Sequence, residues 1–361
     1  MKISDLDYDL PEELIAQEPL PNRDASRLML VDKGSGVIQD LHFRELPAIL
    51  HPADFLVLND SAVFPARLLG RRPGGGRVEL LLLRPDSEQA TGALNSRSGG
   101  ELPAENHDHA LWEALARPKR KLRRNMELIF SDDLRGRVAD VSDETVKIQF
   151  RFSGDFSSVL DRTARVPLPP YIRRPDTERD RDRYQTVYAA RRGSIAAPTA
   201  GLHFTPGILN DLRRRGIHCF FVTLHVGYGT FRPVKSASIE QHRIDAESFS
   251  ISANDAAGIR EALQSGRRMI AVGTTTTRML EHWKRSSPKL RAIAGQTDLF
   301  IYPPFDFKLV KGLLTNFHLP RSSLFALVCA FLGTELARQC YRHAVERHYR
   351  FYSYGDCMLI V

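Results

Sequence analysis

The sequence predicts an α/β domain interrupted by an inserted all-β domain, a small antiparallel barrel. Three observations carry the prediction. From about residue 66 to 159, short apolar runs are separated by glycine and charged turns, with no convincing helix between them. After Pro169 strand-like and helix-like segments alternate. Before Pro65 there are buried-strand runs of the kind that begin an α/β sheet. At roughly 100–200 residues per domain, a chain of 361 residues has room for both units. The expected division is 1–65 with 160–361 for the α/β part and 66–159 for the barrel.

In the first part, Arg27-Leu28-Met29-Leu30-Val31-Asp32 predicts a strand, followed by the turn Lys33-Gly34-Ser35-Gly36, and Asp54-Phe55-Leu56-Val57-Leu58-Asn59-Asp60 predicts a buried strand ending in polar residues. In the barrel region the strand candidates lie at 78–83, 111–116, 126–130, 136–141 and 145–150. The polar, Gly/Ser/Asn-rich stretch near 86–109 reads as a flexible surface loop. In the last part, Thr205-Pro206 supplies a cap and a first-turn proline for a helix that Gly216 ends. A strand over 219–226 follows, then a helix near 255–263 ending at Gly266, a strand at 269–272 and a helix from the threonines at 274–277 to Trp283. Leu299-Phe300-Ile301-Tyr302 reads as a strand, and 323–332 and 335–347 read as helices.

Composition narrows the function class. The formal charge of +8, from 51 Lys+Arg against 43 Asp+Glu, suits a protein that meets a polyanion without requiring one. Cys219, Cys329, Cys340 and Cys357 are scattered with no C-x-x-C pair, so no zinc or thioredoxin-like site is suggested. Cys219, Cys329 and Cys357 read as buried thiols. No metal is expected. The polar start, Met1-Lys2-Ile3-Ser4-Asp5, is no signal peptide, and the longest apolar run, at 324–332, falls far short of the ~20 residues that span a bilayer. A cytoplasmic, monomeric protein is expected, with no membrane partner.

Several stretches hold more glycine, threonine and histidine than packing requires. Ala196 to Thr205 includes Thr199, Gly201 and His203 and leads into a helix, whose free N–H groups favour anions; an ordinary capped loop is the plainer alternative. Thr223 to Pro233 places Gly227 and Gly229 just after a strand, where backbone can approach a ligand. It lacks the third glycine of a dinucleotide fingerprint. Ala271-Val272-Gly273-Thr274-Thr275-Thr276-Thr277-Arg278 offers hydroxyls at a helix start, where capping needs one threonine rather than four. His225, His203 and His318 are proton-transfer candidates, although a lone histidine is more often structural. Asp298 stands before a strand, and Glu247 adds a carboxylate that could orient a substrate amine or act as base, with a solvated surface charge as the alternative. A basic cluster, Arg117, Lys119, Arg120, Lys121, Arg123 and Arg124, lies between two barrel strands and suits phosphates. The segment from Arg173 to Gln185 is nearly charge-balanced and reads as self-paired.

In their order along the chain, the stretches 23–29, Asn59-Asp60-Ser61-Ala62-Val63-Phe64-Pro65-Ala66-Arg67, 197–205, 224–233, 271–278, 297–303, Leu313 to Pro320 with Asn316, and Tyr352-Ser353-Tyr354-Gly355-Asp356 resemble the S-adenosylmethionine:tRNA ribosyltransferase-isomerase family of the queuosine pathway. The match covers nearly the whole chain apart from the 86–109 loop. The resemblance implies an α/β catalytic domain with an inserted barrel. It also implies transfer and isomerisation of the ribosyl part of S-adenosylmethionine onto 7-aminomethyl-7-deazaguanine at the tRNA wobble position, giving epoxyqueuosine, adenine and methionine. S-adenosylmethionine is then a consumed substrate, with no separate cofactor.

On that resemblance His225 or His203 would handle protons, with His318 a further candidate, and Asp298 or Glu247 would orient cationic groups. Thr199, Gly201, Gly227, Gly229, Thr274, Thr275, Arg278 and Asn316 would contact substrate, and the basic cluster tRNA. Asp60 and Arg67 belong to the motifs without an assigned role. The chain departs from the family's usual residues at Ile244-Asp245, Gln296 and Pro304. Two alternatives fare less well: a methyltransferase using the same substrate predicts a glycine-rich loop after the first strand, and the N-terminal region has none; a non-catalytic RNA-binding module predicts aromatic residues among the basic ones, and the basic loop is poor in them.

Overall fold

A computed structural model describes residues 2–86, 109–231 and 238–361; the loop predicted near 86–109 lies, but for its two ends, outside them. The chain begins with β1 (Arg27–Val31), β2 (Ile38–His42), α1 (Leu46–Ile49), β3 (Asp54–Asn59) and β4 (Ser61–Val63). It continues into β5 (Arg67–Arg71), β6 (Arg77–Pro85), β7 (His109–Arg117), β8 (Glu127–Ile129), β9 (Leu134–Val141) and β10 (Val146–Phe152). These six strands close into an antiparallel barrel in the order β10-β7-β6-β5-β8-β9. Strict alternation builds it: in β10, Val146, Ile148, Phe150 and Phe152 point inward while the residues between them are exposed. α2 (Phe156–Thr163) adds Phe156, Val159 and Leu160 to that core.

The remaining elements are α3 (Glu178–Arg183), β11 (Arg191–Ser194), α4 (Pro206–Arg214), β12 (His218–Leu224), β13 (Glu247–Ile251), α5 (Ala253–Gln264), β14 (Arg268–Val272), α6 (Thr274–Ser286), β15 (Ile293–Thr297), β16 (Gly312–Asn316), α7 (Ser323–Leu332), α8 (Thr334–Glu346) and β17 (Cys357–Ile360). A nine-stranded mixed sheet runs β15-β13-β12-β3-β14-β16-β17-β1-β2. β12, β3, β14 and β16 are mutually parallel. The barrel strands fall in sequence between β3 and β12, which are neighbours in this sheet.

Both faces of the sheet are covered, which explains the unbroken apolar run of β3. Phe55 and Val57 join one cluster with Leu280 and Trp283 of α6 and Phe325 and Val328 of α7. Leu56 and Leu58 join the other with Leu46 of α1 and Ile208 and Leu212 of α4.

Some expectations need correction. Residues 299–302 form no strand: Ile301 is fully buried, but the segment runs into Pro303-Pro304, which has no N–H to donate to a ladder. The strand lies earlier, at β15, a polar edge strand. Cys219 is only half-buried at the rim of a core cluster, whereas Cys340 is buried with Cys329 and Cys357. The segment after Arg173 is only partly self-paired: Arg174 grips Asp180 at 2.7 Å, but Arg173 reaches Glu12. Among the described residues, no single helix is long and apolar enough to cross a membrane.

Candidate active site

Because β12, β3, β14 and β16 are parallel, their C-terminal ends share one edge of the sheet, the usual ligand edge of α/β folds. Leu224, Asn59, Val272 and Asn316 end there. The turns after them are stitched together by buried polar groups. Asn59 accepts the Leu224 N–H (3.0 Å) and the Ser61 N–H (3.1 Å), and its Nδ2 donates to the Leu224 carbonyl (2.9 Å). Ser194 Oγ accepts the Val226 N–H at 2.8 Å, and the Ile195 N–H donates to the Val226 carbonyl at 3.0 Å.

The cleft formed at this edge is lined by the 196–200 loop, Val226, Gly273 to Thr275, Thr315, Asn316, His318, and Tyr171, Tyr352 and Ser353. Among the described residues, no Asp, Glu, Lys or Arg lines it. Tyr171 and Tyr352 pack with ring centroids 3.9 Å apart. Gly273 enters α6 at φ +95°, ψ +151°, a conformation open essentially to glycine alone.

The four threonines of α6 divide into two pairs. Thr276 and Thr277 donate back to the carbonyls of Val272 (2.7 Å) and Gly273 (3.0 Å), so they serve the helix. Thr274 and Thr275 line the cleft at the helix N-terminus, where backbone N–H groups are unpaired.

Asn316 is 1% exposed. Its Nδ2 donates to His203 Nε2 (3.1 Å) and to the Tyr352 carbonyl (3.1 Å), which fixes the amide, while its Oδ1 has no partner among the described residues.

The histidines separate clearly. With Nε2 accepting from Asn316, the His203 proton sits on Nδ1, 2.7 Å from Ser26 Oγ. Burial, helped by Arg23 and Arg350, pushes His203 down to about 3, so it is a neutral structural group and lies outside the cleft. His318 lines the cleft with Nε2 2.8 Å from Thr315 Oγ1, and burial pushes it also to about 3. His225 is half-buried, with Nδ1 3.3 Å from Ser61 Oγ; its neighbour Val226 reaches the cleft.

Glu247, read as a possible surface charge, is 4% exposed. It accepts the Gly227 N–H at 3.0 Å and pairs with Arg278, which is 2% exposed and whose Nε and Nη1 are unpartnered among the described residues. This buried pair fastens α6 to the glycine turn, and neither side chain lines the cleft. Gly229 lies against Asp245, where an added Cβ would meet Oδ2 at 2.5 Å. Gly201 packs on Tyr188, whose hydroxyl would stand 2.0 Å from a Cβ. Asp298 is exposed beyond the end of β15 and does not join the others.

Of the expected contact residues, Thr199, Thr274, Thr275 and Asn316 meet in the cleft with His318; Gly201, Gly227, Gly229 and Arg278 stand behind it or beside it. Asp60 accepts from Thr223 Oγ1 at 2.6 Å, and burial raises its carboxyl. Of the basic cluster, Arg117, Arg120, Lys121, Arg123 and Arg124 are exposed around buried Leu122, while Lys119 donates to the Ser142 carbonyl at 2.9 Å. Sequence reasoning missed Tyr171, which has no motif around it, and Tyr352 and Ser353, which belonged to a motif without an assigned role. Among the described residues no cluster of three or more His, Cys, Asp or Glu is arranged to hold a metal ion.

Comparison with known proteins bears on this geometry. A family model described as "Queuosine biosynthesis protein" matches residues 3–360. A relative from Halothermothrix orenii is 45% identical over the whole of both chains, and one from Solibacter usitatus is 46% identical, again over the whole of both. Each is named S-adenosylmethionine:tRNA ribosyltransferase-isomerase. The crystal structure of the S-adenosylmethionine tRNA ribosyltransferase from Thermotoga maritima matches 99% of this chain and 100% of its own, at 36% identity and a TM-score of 0.54.

Proposed function

The chain belongs to the S-adenosylmethionine:tRNA ribosyltransferase-isomerase family of queuosine biosynthesis proteins and is an enzyme; from that premise we propose that its uncharged cleft binds S-adenosylmethionine and delivers the ribosyl group to 7-aminomethyl-7-deazaguanine in the tRNA wobble position. The products are epoxyqueuosine in tRNA, adenine and methionine. One observation carries the reading: the threonine helix start, the 315–318 segment and the 196–200 loop, far apart in sequence, line one cleft.

The cleft's chemistry suits an adenosyl group. Its lining is mostly apolar with two tyrosines, which favours a flat heterocycle. Thr274, Thr275 and the α6 N–H groups suit ribose hydroxyls. The unpartnered Asn316 Oδ1 is an acceptor that a ligand N–H satisfies.

The reaction asks for a base to take a proton from the ribose carbon next to the sulfonium, assistance to departing adenine, and a neutral amine as nucleophile. A base works best with a pKa near the working pH. His203 and His318, both near 3, are poor bases; His225, whose neighbour Val226 lines the cleft, is our candidate for the proton. His203 holds Asn316 in position, and His318 serves as a neutral hydrogen-bonding group in the cleft. Arg278 and Glu247 act as positioning residues through the Gly227 turn.

The test is direct. Purified protein is incubated with S-adenosylmethionine and tRNA bearing the aminomethyl precursor, and the anticodon nucleoside is weighed while free adenine is measured. The reading expects a ribosyl-derived mass increment with one adenine released per modified tRNA. A methyl increment would make the chain a methyltransferase, and an unchanged nucleoside a binder. His225→Ala is expected to bind S-adenosylmethionine normally and to lose turnover; full turnover would remove His225 from its role.

A further inference from the structure

A second hollow lies on the other side of the cleft's own wall. It holds about 580 Å³ against about 160 Å³ for the cleft. One side is the outer face of the barrel, with Arg67 and Leu69 of β5, Leu81 of β6 and Arg117 of β7; the other is the proline-rich segment 165–176. The two hollows share two strips of backbone. Ile195 faces the groove and Ala196 the cleft; Val226 faces the cleft and Tyr228 the groove. The strips are joined by the Ile195-to-Val226 hydrogen bond.

Charge distinguishes the groove from the cleft. Arg67, Arg117, Arg165, Arg173 and Arg174 line it against only two carboxylates, Glu79 and Asp176. Glu79 is taken by Arg67 through two bonds, of 2.9 and 3.2 Å. Asp176, its side chain 11% exposed, stands 3.5 Å from Arg165 and 3.8 Å from Arg67 without completing a hydrogen bond through Oδ1. Arg117 is exposed and makes no ion pair among the described residues, and the Arg165 side chain is half exposed. Guanidinium N–H groups therefore remain available to an anion. Pro167, Pro169 and Pro170 stiffen the facing rim, so those cations are presented at low entropic cost. Outward Leu69, 39% exposed, gives the barrel wall an apolar strip between the charges.

We propose that this barrel-side groove is the track for the RNA strand, with Arg117 and Arg165 gripping backbone phosphates on either wall so that a base turned out beside Val226 and Tyr228 reaches the cleft. The inference rests on the proposed reaction for its choice of a polyanion. It places the decisive cations at the junction of barrel and sheet, rather than on the basic 119–124 loop alone. A groove larger than the cleft, cationic on both sides and separated from it by one layer of backbone is what a polymer substrate and a small-molecule substrate need when they react with each other.

The test measures binding of tRNA bearing the aminomethyl precursor across a salt series for wild type, Arg117→Ala, Arg165→Ala, the double variant and Arg124→Ala. S-adenosylmethionine affinity is measured alongside by calorimetry. Each lost phosphate contact lowers the log–log salt slope by about 0.7–0.9. The double variant is therefore expected to lose about 1.5 from the slope and on the order of tenfold or more in tRNA affinity, with S-adenosylmethionine affinity unchanged. Arg124→Ala is expected to change less than either single variant. Double-variant binding with wild-type affinity and slope, in a preparation whose wild type converts the tRNA, would overturn the groove while leaving the proposed reaction standing. A wild type that neither binds nor converts the tRNA would remove the reaction and the groove with it.

Discussion

The cleft and the groove lie back to back and are built from opposite materials. The cleft is made of backbone turns, hydroxyls and rings, with no charged side chain on its surface among the described residues and two neutral histidines, one on its wall and one behind it. The groove is made of arginines on a barrel face and a stiff proline-rich rim. Charge in the first would hold one particular ionic state, whereas shape and hydrogen bonding select a nucleoside. Charge in the second draws in a polymer whatever its sequence. A nearby ion pair, Arg278 with Glu247, is buried behind the glycine turn, where it sets geometry.

The sharpest way to break this division is at that pair. Glu247→Ala leaves a buried guanidinium without its anion and is expected to cost about 3–5 kcal/mol of stability in urea titrations. Glu247→Leu combined with Arg278→Met is expected to recover most of that loss while leaving turnover impaired, because the turn is no longer held. Full recovery of turnover would show that the pair does not position the cleft. At the cleft mouth, Gly273→Val forces a side chain into a glycine-only conformation. We expect kcat/KM to fall by about 100-fold with tRNA affinity retained. Equal loss of tRNA binding would mean that the two hollows are not independent.

A smaller effect follows from the histidines. Burial holds His203 and His318 down at about 3 in the fold, well below the ordinary histidine range near 6.5. Between those values the unfolded chain binds more protons, so their contribution is complete above pH 6.5 and is lost as pH falls toward 3. The unfolding free energy from urea titrations is expected to drop steadily from pH 6.5 to 5, by up to about 1.4 kcal/mol per pH unit for each histidine. Asp60 and Asp356, raised by burial, act in the opposite sense nearer pH 4, so the upper window is the one to measure. His318→Gln should flatten the slope by the share of one proton; an unchanged slope would show that His318 is not held neutral. The smallest contrast separates neighbours on one helix. Thr274→Val is expected to weaken S-adenosylmethionine binding about fivefold with little change in stability, and Thr276→Val to cost about 1 kcal/mol of stability with little change in binding.

The barrel was legible because period-2 alternation is a strong signal when one face is buried: β6, β7, β9 and β10 all show it. β5 was not, since Arg67-Leu68-Leu69-Gly70-Arg71 carries two arginines and a glycine, and its apolar residues are adjacent rather than alternating. β15 was missed for the reason that 299–302 was mistaken for a strand. An edge strand pairs on one side only and needs few apolar residues, whereas Ile301 is apolar because it is buried as coil. β17 sits centrally yet has only four residues. In the site, the threonine run and Asn316 were legible as unusual polar residues at strand ends. What sequence could not separate was Thr274 and Thr275 from Thr276 and Thr277, because the division depends on which hydroxyls the helix itself absorbs. Nor could it show that Glu247 and Arg278 meet, 31 residues apart, inside the protein.

A crystal structure of the protein grown with S-adenosylmethionine tests the placement of the small substrate most directly. Density for the adenosyl group is expected between the Gly273 to Thr275 turn and the Asn316 to His318 segment, with an adenosyl N–H on Asn316 Oδ1. A ligand seated in the arginine groove, with the cleft beside Thr274 empty, would contradict it.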